Sequence, residues 1–395
     1  MSKTLFKNCR LVNEDFKGHQ SKMAFVVDND HLNWIGPIKK IPKKLKAKEV
    51  DLKNKLVFPS FIECHTHSVF AGSRSEEFEL RNKGVSYLEI ASRGGGILST
   101  VNQTRSISQN KLLDISQVRV NEFLRQGVST LEIKSGYALD LKNEIKMLQV
   151  AKSLKGPQII TTYLGAHALP PEFTDRAEYL KYLCEFVLPI IKKRKLSNRV
   201  DIFIENKFFE KPESEAYLQK AKELGFQLTI HANQLSLSAG AQLAIKFEAL
   251  SADHMIHLDD QLISQFSKSS CVAVLLPVAD LYMKCAYPPA RKLIDAGTTV
   301  ALATDFNPGT CPSQDVSLVG LLARLEMKMT LPEVFKAYSE GAAKALGIFS
   351  EQGSFHIGKL ANFISTDADL SDFFYSAGRM PKHDLFIRGK LCKRN

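Results

Sequence analysis

The chain has 395 residues, 44% of them hydrophobic and 24% charged, which is ordinary for a globular protein and excludes disordered and fibrous classes. It shows no apolar run near the ~18 residues of a membrane span and no signal-peptide core, so we expect a cytoplasmic protein with no membrane partner. The net charge of +11 comes partly from lysine runs without interleaved aromatics, so we expect no nucleic-acid partner and a field that favours a small anionic substrate.

The two ends of the chain share a strand-like pattern. Near the start, TLFKNCRLV and MAFVVDNDHLNWIG are rich in β-forming residues, and the second contains a polar turn at Asn29-Asp30. Near the end, FHIGKLANFIST and HDLFIRGKLCKRN return to this pattern. Because both ends differ from the middle, we predict a small composite β-sandwich domain formed by residues 1–57 and 355–395.

The middle of the chain, residues 58–354, alternates short apolar segments with amphipathic helical segments such as LKNEIKMLQVAKSL. Gly127, Gly225 and Gly297 stand where helices should end. Eight strands alternating with helices predict an α/β fold of the (β/α)8 TIM-barrel type, and no GxGxxG supports the rival doubly wound sheet. The strand candidates are VFPSFIE, VSTLEI, QIITTYL, VDIFIE, FQLTI, ALSA, VAVLL and TVALAT.

Chemically active side chains follow these strands, at the end of a barrel where catalytic groups lie. His65 and His67 follow the first strand, His231 follows the fifth, and Asp305 follows the eighth. Residues i and i+2 of a strand point to the same side, so both histidines of the HxH pair can face the barrel axis. Three imidazoles and a carboxylate predict one site for Zn or a similar divalent ion.

Three further residues have both a structural and a functional interpretation. His254, after the sixth strand, is a further ligand, a core histidine or, as we prefer, a general base near bound water, whose proton Asp305 could also accept. Arg74 is either a surface arginine or a clamp for a substrate carboxylate. Tyr137 either packs in the core or turns its hydroxyl toward a ligand. Other polar residues after the strands are His167, Gln234, Asn307 and Thr310.

Longer motifs, in order along the whole chain, resemble the imidazolonepropionase family of the amidohydrolase superfamily. They are PSFIECHTHSVFAG, RSEEFELRNKGVSYLEIASRGGGILSTVNQTR, EIKSGYALD, TTYLGAHALPPEF, HANQLS, ALSADH, YPPARKLIDAG and ATDFNPGTCPS. The resemblance implies hydrolysis of the ring C–N bond of 4-imidazolone-5-propanoate to N-formimidoyl-L-glutamate in histidine degradation. It also implies one divalent or trivalent ion per chain, Zn or Fe, a cytoplasmic location and a homodimer.

Residue by residue, the resemblance places metal ligands on His65, His67, His231 and Asp305, and the catalytic base on His254. It places substrate or product contacts on Arg74, Tyr137, His167, Gln234, Asn307, Gly309 and Thr310. His167 is in addition a candidate for stabilising the tetrahedral oxyanion.

Two alternatives remain beside this prediction. One is another amidohydrolase, either a nucleobase deaminase or a binuclear hydantoinase-like enzyme. The binuclear class needs a carboxylated lysine at the end of the fourth strand, and Lys207 lies slightly beyond that point. The other alternative, a non-catalytic interaction protein on the same barrel, is disfavoured because every ligand is retained.

Overall fold

The computed structural model describes residues 3–85, 89 and 95–394. The strands, in chain order, are β1 (Thr4–Val12), β2 (His19–Asp28), β3 (His31–Pro37), β4 (Lys48–Pro59), β5 (Phe61–Glu63), β6 (Val128–Lys134), β7 (Gln158–Ala166), β8 (Arg199–Ile204), β9 (Gln227–Ala232), β10 (Ser251–His254), β11 (Val272–Leu275), β12 (Val300–Leu302), β13 (Phe363–Thr366), β14 (Asp384–Ile387) and β15 (Lys390–Arg394).

The α-helices are α1 (Ser75–Asn82), α2 (Ile97–Ser106), α3 (Gln109–Arg125), α4 (Leu141–Ser153), α5 (Arg176–Tyr182), α6 (Leu188–Lys193), α7 (Lys211–Glu223), α8 (Gly240–Lys246), α9 (Asp260–Phe266), α10 (Pro277–Met283), α11 (Ala290–Asp295), α12 (Val316–Leu325), α13 (Leu331–Lys336) and α14 (Ala342–Ala345). Single π-helical turns join α5 to α6 and α13 to α14. Within the described ranges, no helix is both long and apolar enough to cross a bilayer.

Strands from both chain ends form one mixed sheet in the order β15-β14-β13-β4-β1-β2-β3. Aromatic rings join the two ends of the chain in its core. Phe363 of β13 meets Phe6 of β1 edge-on with ring centroids 5.3 Å apart, and it meets Phe25 of β2 in the same way at 5.2 Å. The prediction that both termini build one β-structure is therefore confirmed, and this structure is a single mixed sheet where a β-sandwich was predicted.

The second sheet is the predicted parallel barrel. Among the described residues, eight parallel strands run in chain order from β5 to β12. The barrel closes where β5 and β12 end, since the N–H of His67 donates to Phe306 O at 2.9 Å and that of Asp305 donates to His65 O at 3.1 Å. The hydrogen bonds that close the barrel therefore also fix the backbone of three predicted site residues.

One predicted strand is divided between the two sheets. VFPSFIE supplies the end of β4, in the terminal sheet, and the whole of β5, in the barrel. Pro59 pairs with Phe363 at the end of β4, and the N–H of Ser60 donates to Asn362 O at 3.2 Å. A proline has no N–H for a ladder, so the break falls where pairing in one sheet gives way to the other.

The helices surround the barrel and end where the glycines predict. Gly127, Gly225 and Gly297 follow α3, α7 and α11 with φ values of 86°, 73° and 93°. Glycine adopts this left-handed conformation without the steric penalty of a Cβ atom. One large apolar cluster joins the helices to the barrel strands, so the strand ends stand on a rigid base.

Candidate metal centre and substrate pocket

A cavity of about 440 Å³ opens at the carboxyl ends of the barrel strands. This is the end of a (β/α)8 barrel that carries active sites. The cavity brings together almost all of the predicted site residues. Its lining includes His67, Arg74, Tyr137, His167, His231, Gln234, His254, Asp305, Asn307, Gly309 and Thr310.

The four predicted ligands cluster at the base of this cavity. Asp305 Oδ1 lies 3.4 Å from His65 Nε2 and 3.6 Å from His67 Nε2. The ring of His231 lies 4.6 Å from that of His65, between centroids. The donor atoms of His65, His67 and Asp305 all lie within 4.8 Å of one another, and so do those of His65, His231 and His254. His254 therefore shares the cluster with the four predicted ligands.

Two of the imidazoles are held from behind by aspartates. The Nδ1–H of His65 donates to Asp253 Oδ2 at 2.6 Å, and His231 Nδ1 lies 2.9 Å from Asp201 Oδ2. Each contact leaves Nε2 as the free nitrogen of its ring, an arrangement typical of metal-ligating histidines. His65 Nε2 has no hydrogen-bond partner within the described part of the chain. A buried orphan nitrogen beside a carboxylate fits a bound metal ion.

Burial also sets the protonation of the cluster. It lowers the pKa values of His65, His67 and His254 well below the usual range, so these imidazoles are neutral. Burial raises the pKa of Asp305 to about 7. Burial would lower the pKa of His231 too, but the adjacent Asp201 outweighs it and raises that pKa. Asp305 is therefore the group of the cluster that exchanges its proton near neutral pH, and His231 holds its proton more tightly than an ordinary histidine.

Arg74 lies on the cavity wall and not on the open surface. Its Nε donates to Glu77 Oε2 at 2.8 Å. A Cβ atom on Gly309 would lie 2.1 Å from Arg74 Nη1, so the glycine makes room for the guanidinium. Arg81, which the sequence analysis missed, donates from Nη2 to Gly309 O at 3.3 Å and also lines the cavity. Its spacing of seven residues from Arg74, two turns of α1, is the signal that could have found it.

Tyr137 and His167 form another part of the wall. The His167 ring stacks on His67 with centroids 5.3 Å apart, and Tyr137 meets it edge-on at 5.2 Å. His167 Nδ1 lies 3.0 Å from Gly136 O, and because a carbonyl only accepts, Nδ1 carries the proton. Burial lowers the pKa of His167 to about 4, so its Nε2 is an acceptor at neutral pH.

The loop after β12 is shaped by Asn307. Its Oδ1 accepts from the N–H groups of Gly309 at 2.8 Å and Thr310 at 2.7 Å, and its Nδ2 donates to Asp305 O at 2.7 Å. Gln234 lines the cavity and lies 3.4 Å from Met283 Sδ through its Nε2. These contacts hold the rim of the cavity in place.

Lys207 and His257 both follow barrel strands but do not line the cavity. Lys207 is exposed, with its carbonyl accepting from Arg176 at 2.7 Å, so it does not meet the cluster as a bridging lysine would. His257 follows β10 but is absent from the cavity lining. The geometry thus gives no support to the binuclear alternative.

Three buried charges behind the cluster are not among the residues predicted from the sequence. They are Glu132, Asp201 and Asp253, each within a strand and at most 1% exposed. A charged residue inside a short apolar strand was the available signal, because such a side chain is buried only with a partner.

An amidohydrolase family model matches residues 56–392. The chain belongs to the amidohydrolase family. Among its relatives, the imidazolonepropionase of Bdellovibrio bacteriovorus is 51% identical over 388 residues, 97% of this chain and 92% of the relative. That of Pseudomonas entomophila is 42% identical over 368 residues, 91% of each chain. The resemblance seen in the motifs is confirmed.

Solved structures support the fold of this amidohydrolase. A Xanthomonas campestris adenosine deaminase with bound zinc superposes with a TM-score of 0.75 at 17% identity, covering 99% of this chain and 92% of that one. Escherichia coli guanine deaminase gives a TM-score of 0.73 at 15% identity over the full length of both chains. At these identities the likeness establishes the barrel architecture alone. The family is metal-dependent, and the chain carries a matching His/Asp cluster.

Proposed function

We propose that this amidohydrolase is an imidazolonepropionase, which hydrolyses the ring C–N bond of 4-imidazolone-5-propanoate to N-formimidoyl-L-glutamate in histidine degradation. The observation that carries the proposal is 51% identity over 97% of the chain to a protein of that name. The cavity is consistent with it, because a His/Asp cluster for hydrolysis and a guanidinium for a carboxylate line the same space.

We propose that His65, His67, His231 and Asp305 hold one ion, Zn or Fe. When bound, that ion would activate water and polarise the carbonyl of the ring. The neutral imidazoles suit this role, since a protonated histidine cannot ligate a metal. Both metals accept nitrogen and oxygen donors, so metal analysis of the purified protein decides between them.

Proton transfer is assigned to His254 and Asp305. His254 is buried and neutral, and its ring centroid lies 5.3 Å from that of His231. A neutral imidazole at that position can take the proton of the attacking water. Asp305 lies beside both histidines of the HxH pair, where its carboxylate can pass a proton to the leaving ring nitrogen.

The wall residues are assigned to substrate orientation. Arg74 would bind the propionate through its Nη groups, since its Nε is already engaged by Glu77. His167 was predicted both to contact the substrate and to stabilise the oxyanion. Because its Nε2 is an acceptor, we assign it to a substrate N–H and not to the oxyanion. Tyr137, Gln234, Asn307, Gly309 and Thr310 complete the proposed contacts.

We further propose a cytoplasmic homodimer without nucleic-acid or membrane partners, with residues 1–57 and 355–395 as one domain and residues 58–354 as the barrel domain. Light scattering after size-exclusion chromatography tests the dimer, and limited proteolysis tests the domain boundaries.

A substrate comparison tests the reaction. The metal-loaded protein is given 4-imidazolone-5-propanoate, a hydantoin or guanine, and loss of substrate absorbance is followed while products are identified by mass spectrometry. We expect rapid loss of the imidazolone with formation of N-formimidoylglutamate. Turnover confined to the hydantoin or guanine would assign the chain to another amidohydrolase, and inertness toward all three would support the interaction-protein alternative.

A further inference from the structure

A single buried lysine joins three carboxylates behind the candidate metal cluster. Lys134 Nζ lies 2.9 Å from Asp201 Oδ2, 3.0 Å from Glu132 Oε1 and 3.5 Å from Asp253 Oδ2. The lysine and all three acids are at most 1% exposed. They come from β6, β8 and β10, alternate strands whose inward side chains share a layer of the barrel.

Each of these carboxylates in turn contacts the segment that carries a proposed ligand. Asp253 accepts from His65 Nδ1 at 2.6 Å, and Asp201 lies 2.9 Å from His231 Nδ1. Glu132 Oε2 accepts from the N–H of Thr66 at 3.2 Å, between the two histidines of the HxH pair. One ammonium group thus reaches two of the ligand-bearing segments, the HxH segment through Asp253 and Glu132 and the end of β9 through Asp201.

We propose that Lys134 is a positioning residue for the metal site. Its ammonium group holds these carboxylates in place, and the carboxylates in turn hold His65 and His231 in the arrangement that receives the ion. The inference rests on the proposed metal site. Three carboxylates around one point repel one another unless a cation sits between them. Arg199 is also buried, but its Nε and Nη1 make no hydrogen bond within the described part of the chain, so the direct contacts fall to Lys134.

This role predicts a change in metal affinity on removal of Lys134 that is opposite in direction to the change expected from charge repulsion alone. A lysine near a cation site disfavours the cation by Coulomb repulsion, so removing its charge should tighten metal binding. A lysine that positions the ligands does the reverse, and its removal should weaken binding. Loss of an outer partner of a metal ligand commonly costs 10–100-fold in metal affinity.

The experiment measures the Zn²⁺ dissociation constant of the apoprotein by chelator competition, without reference to activity. We expect Lys134→Met to bind Zn²⁺ about 10–100-fold more weakly than the parent, with an altered visible spectrum of the Co²⁺ form. The double variant Lys134→Met/Asp253→Asn should lose less Zn²⁺ binding free energy than the sum of the losses in the two single variants, because both changes act on His65 through the same contact.

Two controls keep the test decisive. Leu218→Ala removes a fully buried side chain of α7 and should lower stability while leaving Zn²⁺ affinity unchanged. Lys134→Met/Glu132→Gln removes one charge of each sign and serves as the second variant if Lys134→Met alone does not fold. It should also bind Zn²⁺ about 10–100-fold more weakly than the parent. Unchanged or tighter Zn²⁺ binding, or strictly additive costs, would overturn the role of Lys134. A parent protein that binds no Zn²⁺ would instead contradict the proposed metal site itself.

Discussion

Asp305 combines a proposed metal-ligand position with an uncommon backbone conformation. It lies within 3.6 Å of both histidines of the HxH pair, and it has a left-handed backbone with φ of 55°. Such a conformation in a residue other than glycine is uncommon and recurs at functional sites. Here it belongs to the residue whose N–H helps to close the barrel, so the side chain and the barrel closure depend on each other.

Metal uptake should depend on pH near neutrality. Burial raises the pKa of Asp305 to about 7, and Asp201 raises that of His231 against the effect of burial. Both groups must lose their protons to ligate, so Zn²⁺ affinity should fall as pH decreases from 8 through 7 to 6. Competition titrations at these pH values, with calorimetry in two buffers to count released protons, test this. Equal affinity throughout would show that neither group is a ligand.

A substitution of His254 distinguishes the role of general base from that of metal ligand. It is close enough to His65 and His231 to join a metal group, yet we assign it to the proton of water. His254→Asn should therefore keep the metal and lose ~10²–10⁴ in kcat. Metal analysis and steady-state kinetics on the same sample measure both. Loss of the ion would move His254 into the ligand set.

Arg74 connects the reaction to its substrate. Arg74→Gln should raise KM and lower kcat, because the lost anchor also misplaces the ring. Arg74→Lys should recover only part of the loss, since an ammonium is a point charge without the planar fork. Metal content should not change in either variant. Arg388→Gln, half-exposed on the terminal sheet, is the matched control, and wild-type kinetics for Arg74→Gln would remove Arg74 from the site.

At the scale of elements, a carboxylate from one element often holds the neighbouring loop. Glu144, in the first turn of α4, accepts from the N–H groups of Gly136 at 3.1 Å, Ala138 at 2.9 Å and Leu139 at 2.9 Å. Those residues surround Tyr137 and supply the carbonyl that faces His167. The Glu144 side chain therefore fixes one wall of the cavity.

Removal of this carboxylate should affect both stability and binding. Glu144→Ala leaves three buried N–H groups without their acceptor, at a cost of about 1–3 kcal/mol each. We expect a lower Tm and a raised KM with metal content retained. Thermal denaturation and kinetics measure these effects, with exposed Glu223→Ala as the control. An unchanged KM would mean that the loop keeps its position without Glu144.

The elements were largely predictable from the sequence because their signals are local. Apolar runs of strand length and glycines at helix ends predicted β6 to β12 and the ends of α3 and α7. The division of VFPSFIE was not predictable, because its first half pairs with Phe363, about 300 residues later in the chain. Long-range pairing of this kind leaves no local trace.

The residues of the candidate site likewise comprise some that were predictable from the sequence and others that were not. His65, His67, His231 and Asp305 stand at or near the carboxyl ends of strands, so the barrel rule alone brings them together. The buried charges Glu132, Asp201 and Asp253 lie inside strands, where a charge in an apolar run signals a buried partner but does not identify it. Asp201 and Asp253 lie on other strands than Lys134, so only the folded barrel shows that they meet it beside Glu132.

At the scale of the whole molecule, the barrel strands carry the predicted ligands and the surrounding helices make their base rigid. The terminal sheet leads directly into β5, the strand that precedes the HxH pair. The position of the cluster thus depends on barrel closure as much as on its own side chains. A site built on packed strands holds ligands more accurately than one built on loops.

The central claim is that these strand ends form a hydrolytic centre for one metal ion. Anomalous diffraction at the zinc edge from crystals of the Zn²⁺-loaded protein tests it most directly. We expect one peak per chain, bound by His65, His67, His231 and Asp305. Two adjacent peaks, or a peak bound by other residues with this cluster left empty, would contradict the claim.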